Sequence, residues 1–222
     1  SGSSVTVGIK EKNYLGEGTK LDANATVSET GLQGLFSIDF KNYKNSDKDL
    51  NLSFENSSID QLSKYGYKST KTGFTVGTSY EQYRDIYFSP SISNYYESMK
   101  TSSSASDTRK KQEGEYFDTS FNYRFTLNKL NRNYQPSEGF KTGFYQSIPL
   151  YADDFTLINS FDFGKYYSFF DDQVFSINFL IKSANSLSGD NVRVSKRLFL
   201  PSRRLRGFES GRVGPYDDGD FI

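Results

Sequence analysis

Apolar and polar residues alternate with period two along most of this chain. Val5, Val7 and Ile9 alternate with Thr6, Gly8 and Lys10, Phe36, Ile38 and Phe40 with Ser37, Asp39 and Lys41, and Leu50, Leu52 and Phe54 with Asn51, Ser53 and Glu55. The longest run spans 116–128. There Phe117, Thr119, Phe121, Tyr123, Phe125 and Leu127 share one face, and Asp118, Ser120, Asn122, Arg124, Thr126 and Asn128 the other. Phe155, Leu157, Phe161 and Phe163 repeat the pattern, interrupted by Asn159, and Phe175, Ile177, Phe179 and Ile181 repeat it again. Side chains that alternate in this way lie on opposite faces of a β-strand, and helical spacing accounts for none of these runs as well.

Turn-forming residues separate the runs: Gly16-Glu17-Gly18, Asn45-Ser46-Asp47, Pro136-Ser137-Glu138-Gly139, Asp153-Asp154 and Asp171-Asp172. The Ser-rich, charged stretch 98–115 reads as an exposed loop with little to bury. The pattern predicts about eleven strands, at 4–12, 18–28, 32–43, 48–57, 67–80, 83–95, 114–128, 139–150, 154–166, 173–185 and 190–200. Most reach or exceed the ~9–11 residues of a tilted membrane-spanning strand, against ~5–6 in soluble sheets. The predicted architecture is therefore all-β: an antiparallel up-and-down transmembrane barrel with its apolar face to lipid and Lys10, Asp39, Glu55, Asp118, Arg124 and Asp162 lining the lumen. A soluble two-sheet sandwich would show the same alternation with those polar residues on wet outer faces.

Composition favours the membrane. Apolar residues make up 35% of the 222, and of these 20 are Phe and 17 Tyr, so aliphatic side chains for a soluble core are few. The tyrosines Tyr65, Tyr67, Tyr83, Tyr87, Tyr95, Tyr96, Tyr134, Tyr145, Tyr151, Tyr166 and Tyr167 concentrate toward strand ends, where they suit interfacial girdles. No stretch approaches the ~20 apolar residues of a spanning helix, and the mean hydropathy of −0.67 does not speak against strands that are apolar on one face only. The N-terminus carries no signal-peptide pattern, so a mature chain or a fragment is expected.

Charge and chemistry narrow the function. With 27 basic and 27 acidic residues the formal net charge is zero, which argues against a nucleic-acid partner. Without His or Cys there is no imidazole base, thiolate nucleophile, Cys/His zinc site or disulfide. Asp217, Asp218 and Asp220 lack the spacing of a calcium loop. The adjacent pairs Asp153/Asp154 and Asp171/Asp172 suit turns better than a glycosidase dyad. No enzyme activity, catalytic residue, metal or cofactor is expected.

The segment 203–220 follows a predicted strand and breaks all alternation. Leu205, Arg206, Gly207 and Phe208, followed by Gly211, Gly214 and Pro215, resemble the Val-Arg-Gly-Phe/Tyr loop motif of the BamA family of outer-membrane assembly barrels, with Leu205 in place of the usual Val. Asn13-Tyr14-Leu15-Gly16-Glu17-Gly18 resembles a turn between the family's early strands. The segment 130–139 resembles its Asp-Arg-x-x-x-Pro-x-x-Gly hairpin through Arg132, Pro136 and Gly139, with Asn131 where Asp is common.

The resemblance covers essentially the whole chain, 1–222. It implies strands two to twelve of a sixteen-stranded barrel plus the start of the loop at 201–222, with the POTRA domains, the first strand and the last four strands missing. It implies a protein that folds and inserts other barrels into the outer membrane of a Gram-negative bacterium. Its partners would be the bilayer, unfolded outer-membrane proteins as clients and assembly-complex lipoproteins. A weakly paired seam between first and last strands would offer backbone edges to an incoming strand. Arg206 would be a luminal latch whose acidic partners lie beyond residue 222, or else Asp118 or Asp162. A two-partner secretion or translocation barrel, and a soluble β-sandwich binding module, are the alternatives.

Overall fold

The alternating runs up to Ile181 become strands, each hydrogen-bonded to its neighbours in sequence order. The structure, a computed structural model, describes residues 3–29, 31–62, 66–103, 105–170, 173–189 and 191–198, together with the backbone of 216–217 and 220–221. Ten strands follow one another: β1 (Ser4–Tyr14), β2 (Thr19–Ser28), β3 (Gly31–Phe40), β4 (Asp49–Gln61), β5 (Tyr67–Tyr83), β6 (Ile86–Thr101), β7 (Gly114–Asn128), β8 (Gly139–Ala152), β9 (Thr156–Phe170) and β10 (Gln173–Ser186). They form one antiparallel up-and-down sheet in sequence order, in which β1 and β10 do not pair with each other. This is the wall of an incomplete barrel. The two short strands β11 (Tyr216–Asp217) and β12 (Asp220–Phe221) pair only with each other.

Which face meets lipid follows from burial. Phe36, Phe54 and Phe74 lie side by side across β3, β4 and β5 and are 43%, 49% and 50% exposed. Phe117, Phe125, Phe144, Phe161 and Phe179 continue the exposed aromatic face. The buried positions are polar instead: Ser69, Ser93, Asn122, Ser147 and Ser160 on the opposite face, with Met99, Ala105 and Val194 the only buried apolar residues among those described. A soluble two-layer protein would bury its phenyl rings between sheets; this one shows them and hides its serines.

The inner wall is held by side-chain pairing. Asn122 Nδ2 donates to Ser93 Oγ (2.9 Å), which also bonds Thr75 Oγ1 (2.8 Å), and Lys10 lies 3.0 Å from Asp22. Asn51 donates to Asp39. Arg124 on β7 pairs with Asp162 on β9 across the whole width of β8. The strand between offers Gly143 at that level, where a Cβ would stand 2.5 Å from Arg124 Nη2 and 2.9 Å from Asp162 Oδ1. The missing side chain is what lets the ion pair cross.

Asn159, the residue that interrupts the apolar face of β9, is explained by its neighbours. In register it stands beside Gln146 and Ser183, and Gln146 beside Tyr123. Tyr123 Oη donates to Gln146 Oε1 (2.7 Å), Gln146 Nε2 to Asn159 Oδ1 (2.6 Å) and Asn159 Nδ2 to Ser183 Oγ (3.3 Å). Four strands thus share a polar rung on the lipid-facing side, with Phe125, Phe144, Phe161 and Ile181 forming the adjacent apolar row. Asn159→Leu in the full-length protein is expected to lower stability by about 0.6–1.7 kcal/mol, because Gln146 loses its acceptor where water is scarce. Gln146→Leu combined with Asn159→Leu should recover part of that loss in urea titrations of vesicle-folded protein. Additive losses would mean that the rung carries no coupling.

Three expectations need correction. The eleventh strand, placed at 190–200, does not form: the described residues there contain a 3-10 turn at Val194–Lys196. The alternation of Val192, Arg193, Val194 and Ser195 mimics a strand, but its polar members, Arg193 and Ser195, are drawn to Glu97 and Asp118 on the inner wall. The 98–115 stretch is not wholly exposed: β6 runs on to Thr101, a single helical turn α1 occupies Asp107–Lys110, and Met99, Ala105 and Arg109 are buried. Of the girdle tyrosines, Tyr95 and Tyr145 line the inner wall instead, Tyr95 under the Lys71 ammonium at 3.9 Å and Tyr145 donating to Asn122 Oδ1 at 3.3 Å. Tyr65 lies outside the described residues.

Candidate functional site

Beyond β10 the chain returns over the inner face of β6 and β7. Leu187 donates its N–H to Phe155 O (2.7 Å), and residues 191–198 form a strap pinned at the end of the sheet where the 102–113 connection lies. Arg193 is its anchor. The side chain is 2% exposed, its Nη2 donates to Asp118 on β7, and its Nε lies 3.4 Å from Glu97 Oε2 on β6. The guanidinium carbon stacks 3.9 Å from the centre of the Tyr116 ring. Asp118 and Tyr116 share the inner phase of β7, and Glu97 occupies the inner phase of β6 beside Met99, so strand periodicity alone aims all of them at the strap.

The remaining contacts fix the strap's register. Glu97 also accepts from Ser195 Oγ (2.9 Å) and from Ser69 Oγ on β5 (2.5 Å). Val194 N–H donates to Gln112 Oε1 (2.8 Å), and Tyr116 Oη donates to Gln112 O (2.6 Å), which joins the 102–113 connection to the same cluster. Lys196 Nζ lies 3.1 Å from Asp118 Oδ1, donates to Asp154 O at 3.0 Å and stands 4.0 Å from Asp154 Oδ2. Burial pushes the Lys196 ammonium below the ordinary lysine pKa, and the neighbouring Arg193 charge adds to this, while Asp118 and Asp154 oppose it. The buried guanidinium of Arg193 is met by the carboxylates of Glu97 and Asp118 on the wall. Losing one partner of a buried pair typically costs ~3–5 kcal/mol, which makes this contact the strongest single reason for the strap to stay docked.

Below the strap lies a cavity of about 250 Å³, lined by Lys71, Tyr95, Asn122, Tyr145, Lys196 and the apolar Ile158. No group of three or more His, Cys, Asp or Glu side chains suited to a metal ion occurs among the described residues. The chemistry available at this site is charge pairing and hydrogen bonding.

The sequence-predicted residues separate into two sets. Leu205, Arg206, Gly207, Phe208, Gly211, Gly214 and Pro215 lie outside the described residues. Asp118 and Asp162, considered as partners for Arg206, are paired with Arg193 and Lys196 and with Arg124 respectively. Arg132, Pro136 and Gly139 sit in the β7–β8 hairpin at the opposite end of the sheet. There Arg132 Nε donates to Gln135 O (2.6 Å), Asn131 Oδ1 accepts from the N–H groups of Ser137 (3.2 Å) and Glu138 (3.3 Å), and Gly139 adopts φ +97°. The early turn is built alike, with Gly18 N–H donating to Asn13 Oδ1 (2.6 Å) and positive φ at Leu15, Gly16 and Gly18. Asp153 accepts from Phe117 N–H (2.9 Å) and Asp154 faces Lys196, both structural roles. Arg193, Lys196 and Glu97 were not singled out by motif.

Comparison with known proteins fits this geometry. The crystal structure of BamA from Haemophilus ducreyi lacking POTRA domains 1–3 superimposes with a TM-score of 0.84 at 18% sequence identity, over 96% of this chain and 45% of that one. The chain thus spans a little under half of the structure it resembles. The Omp85 superfamily domain matches residues 13–222. The chain belongs to the Omp85 superfamily of outer-membrane assembly and translocation barrels.

Proposed function

We propose that the whole protein folds and inserts other β-barrels into the outer membrane of a Gram-negative bacterium, and that this chain supplies much of its barrel wall. The observation that carries the reading is the inverted wall, apolar outside and polar inside, with a docked luminal strap that leads toward the Arg206-Gly207-Phe208 segment. In the whole protein, POTRA domains precede the barrel and further strands complete it. Its clients are unfolded outer-membrane proteins, and lipoproteins of an assembly complex are its partners. No covalent step is involved: the seam between first and last strands presents unpaired backbone N–H and C=O groups, and an incoming strand pairs with them by β-augmentation.

The test is complementation of a strain depleted of its own assembly barrel. The full-length protein is expected to restore folded outer-membrane proteins, seen as heat-modifiable bands, and Arg206→Ala is expected to lower that yield. Unchanged yield of all barrels, together with loss of one secreted exoprotein when the native gene is removed, would instead establish the two-partner secretion reading.

A further inference from the structure

We propose that Arg193 is a positioning residue: it clamps residues 191–198 to the inner wall at Glu97, Asp118 and Tyr116, and so fixes where the segment carrying Arg206-Gly207-Phe208 starts. The docking itself stands on geometry alone, while its consequence for client assembly rests on the function proposed above.

Four observations converge on Arg193. It is 2% exposed, although arginine is among the residues least often buried without a partner. Its two carboxylate partners come from adjacent strands, so the guanidinium bridges β6 and β7 rather than capping one of them. The Tyr116 ring lies 3.9 Å from its guanidinium carbon, a planar stacking that a lysine ammonium cannot reproduce. Val194, next in sequence, is also 2% exposed and is tied by its N–H to Gln112 in the 102–113 connection. The strap and that connection therefore move as one unit or part together.

The clamp acts on direction. Between Arg197 and Arg206 there are nine residue steps, a tether of at most ~32 Å when fully extended. A strap freed from the wall would let that tether start anywhere above the opening, whereas a docked strap starts it over the β6–β7 side. Lys196 and Ser195 adjust this register by binding the same two acids, Asp118 and Glu97.

The chain has no cysteine of its own, so with any cysteine elsewhere in the full-length protein replaced by serine, single introduced thiols report position. In the full-length protein folded in vesicles, Val194→Cys is expected to resist maleimide labelling, while Ser188→Cys, at an exposed site just after β10, labels freely. Adding Arg193→Ala should raise labelling at position 194 at least tenfold and leave position 188 unchanged, with the heat-modifiable mobility of the barrel retained. Arg193→Lys should give an intermediate rise, because charge is kept and the planar stacking on Tyr116 is lost. Glu97→Gln reads the same contact from the wall side and replaces Arg193→Ala if that variant does not fold. Continued protection of position 194 in Arg193→Ala or in Glu97→Gln would overturn the clamp. Release of position 194 with normal client assembly in the depleted strain would overturn the positioning role, whereas failure of the unmodified protein to restore assembly would count against the proposed function and leave the clamp standing.

Discussion

Arginine in place of Phe179 should unfold the protein far more readily than arginine in place of Asn178, one residue away. Phe179 lies mid-strand on β10 between Ile177 and Ile181 on the same face, and these three are 52%, 54% and 53% exposed. A guanidinium at the midplane of the lipid face costs ~2–4 kcal/mol, to which the loss of phenyl burial in hydrocarbon adds. Asn178 faces the other way, in register with Gly164, whose missing side chain leaves room beside it. Arg at 178 enters a wall already lined with charges and is expected to stay within about 0.5 kcal/mol, as surface changes usually do. Urea titration of the full-length protein in vesicles measures both. Equal losses, or a greater loss at 178, would mean that the phenyl rings do not face lipid.

That contrast depends on a feature readable from residues alone. Period two survives in the sequence because each face meets a different solvent, hydrocarbon outside and water inside, so nearly every second position is constrained. Where that constraint lapses, alternation no longer marks the strand limits. β6 continues to Thr101, beyond its apolar stretch, because Ser, Thr and Lys extend its pairing with the start of β5: Ser98 stands beside Thr70 and Lys100 beside Lys68. Those residues keep the backbone ladder without any alternation to reveal it.

The site was less legible for a different reason. Its partners are 75 residues apart for Arg193 and Asp118 and 98 for Ser195 and Glu97, and no local period encodes a contact at that distance. Asp118 drew attention as an acid on a luminal phase, and the structure does give it to an arginine, although to Arg193. The local signal near Arg193 pointed the wrong way, since two valines flanking a charge look like a strand. A charge between valines just past the last strand, opposite Glu97 and Asp118 on the inner phase of two neighbouring strands, is the pattern that would have found it.

The hairpin motif offers the other large effect, and it falls on one of its three residues. Gly139 begins β8 at φ +97°, where a residue with a side chain is strained by ~1–3 kcal/mol. A Cβ there would stand 2.0 Å from Lys129 O and 2.9 Å from Leu130 Cα, both backbone atoms that cannot swing aside. Lys129 is also where the hairpin closes, its N–H donating to Phe140 O at 2.8 Å, so relief of the clash must open the first rung between β7 and β8. Gly139→Ala is therefore expected to destabilise by about 2–6 kcal/mol, the sum of backbone strain and overpacking. Arg132 is exposed and holds only the Gln135 carbonyl, and Pro136 limits the unfolded chain more than it contacts the folded one. Alanine at either position should cost about 1 kcal/mol or less. Heat-modifiable mobility and urea midpoints of the three single variants, compared in the full-length protein, separate the two kinds of motif residue: if Arg132→Ala matches Gly139→Ala, the hairpin is conserving an interaction made by the arginine, and the strained backbone is not what the motif protects.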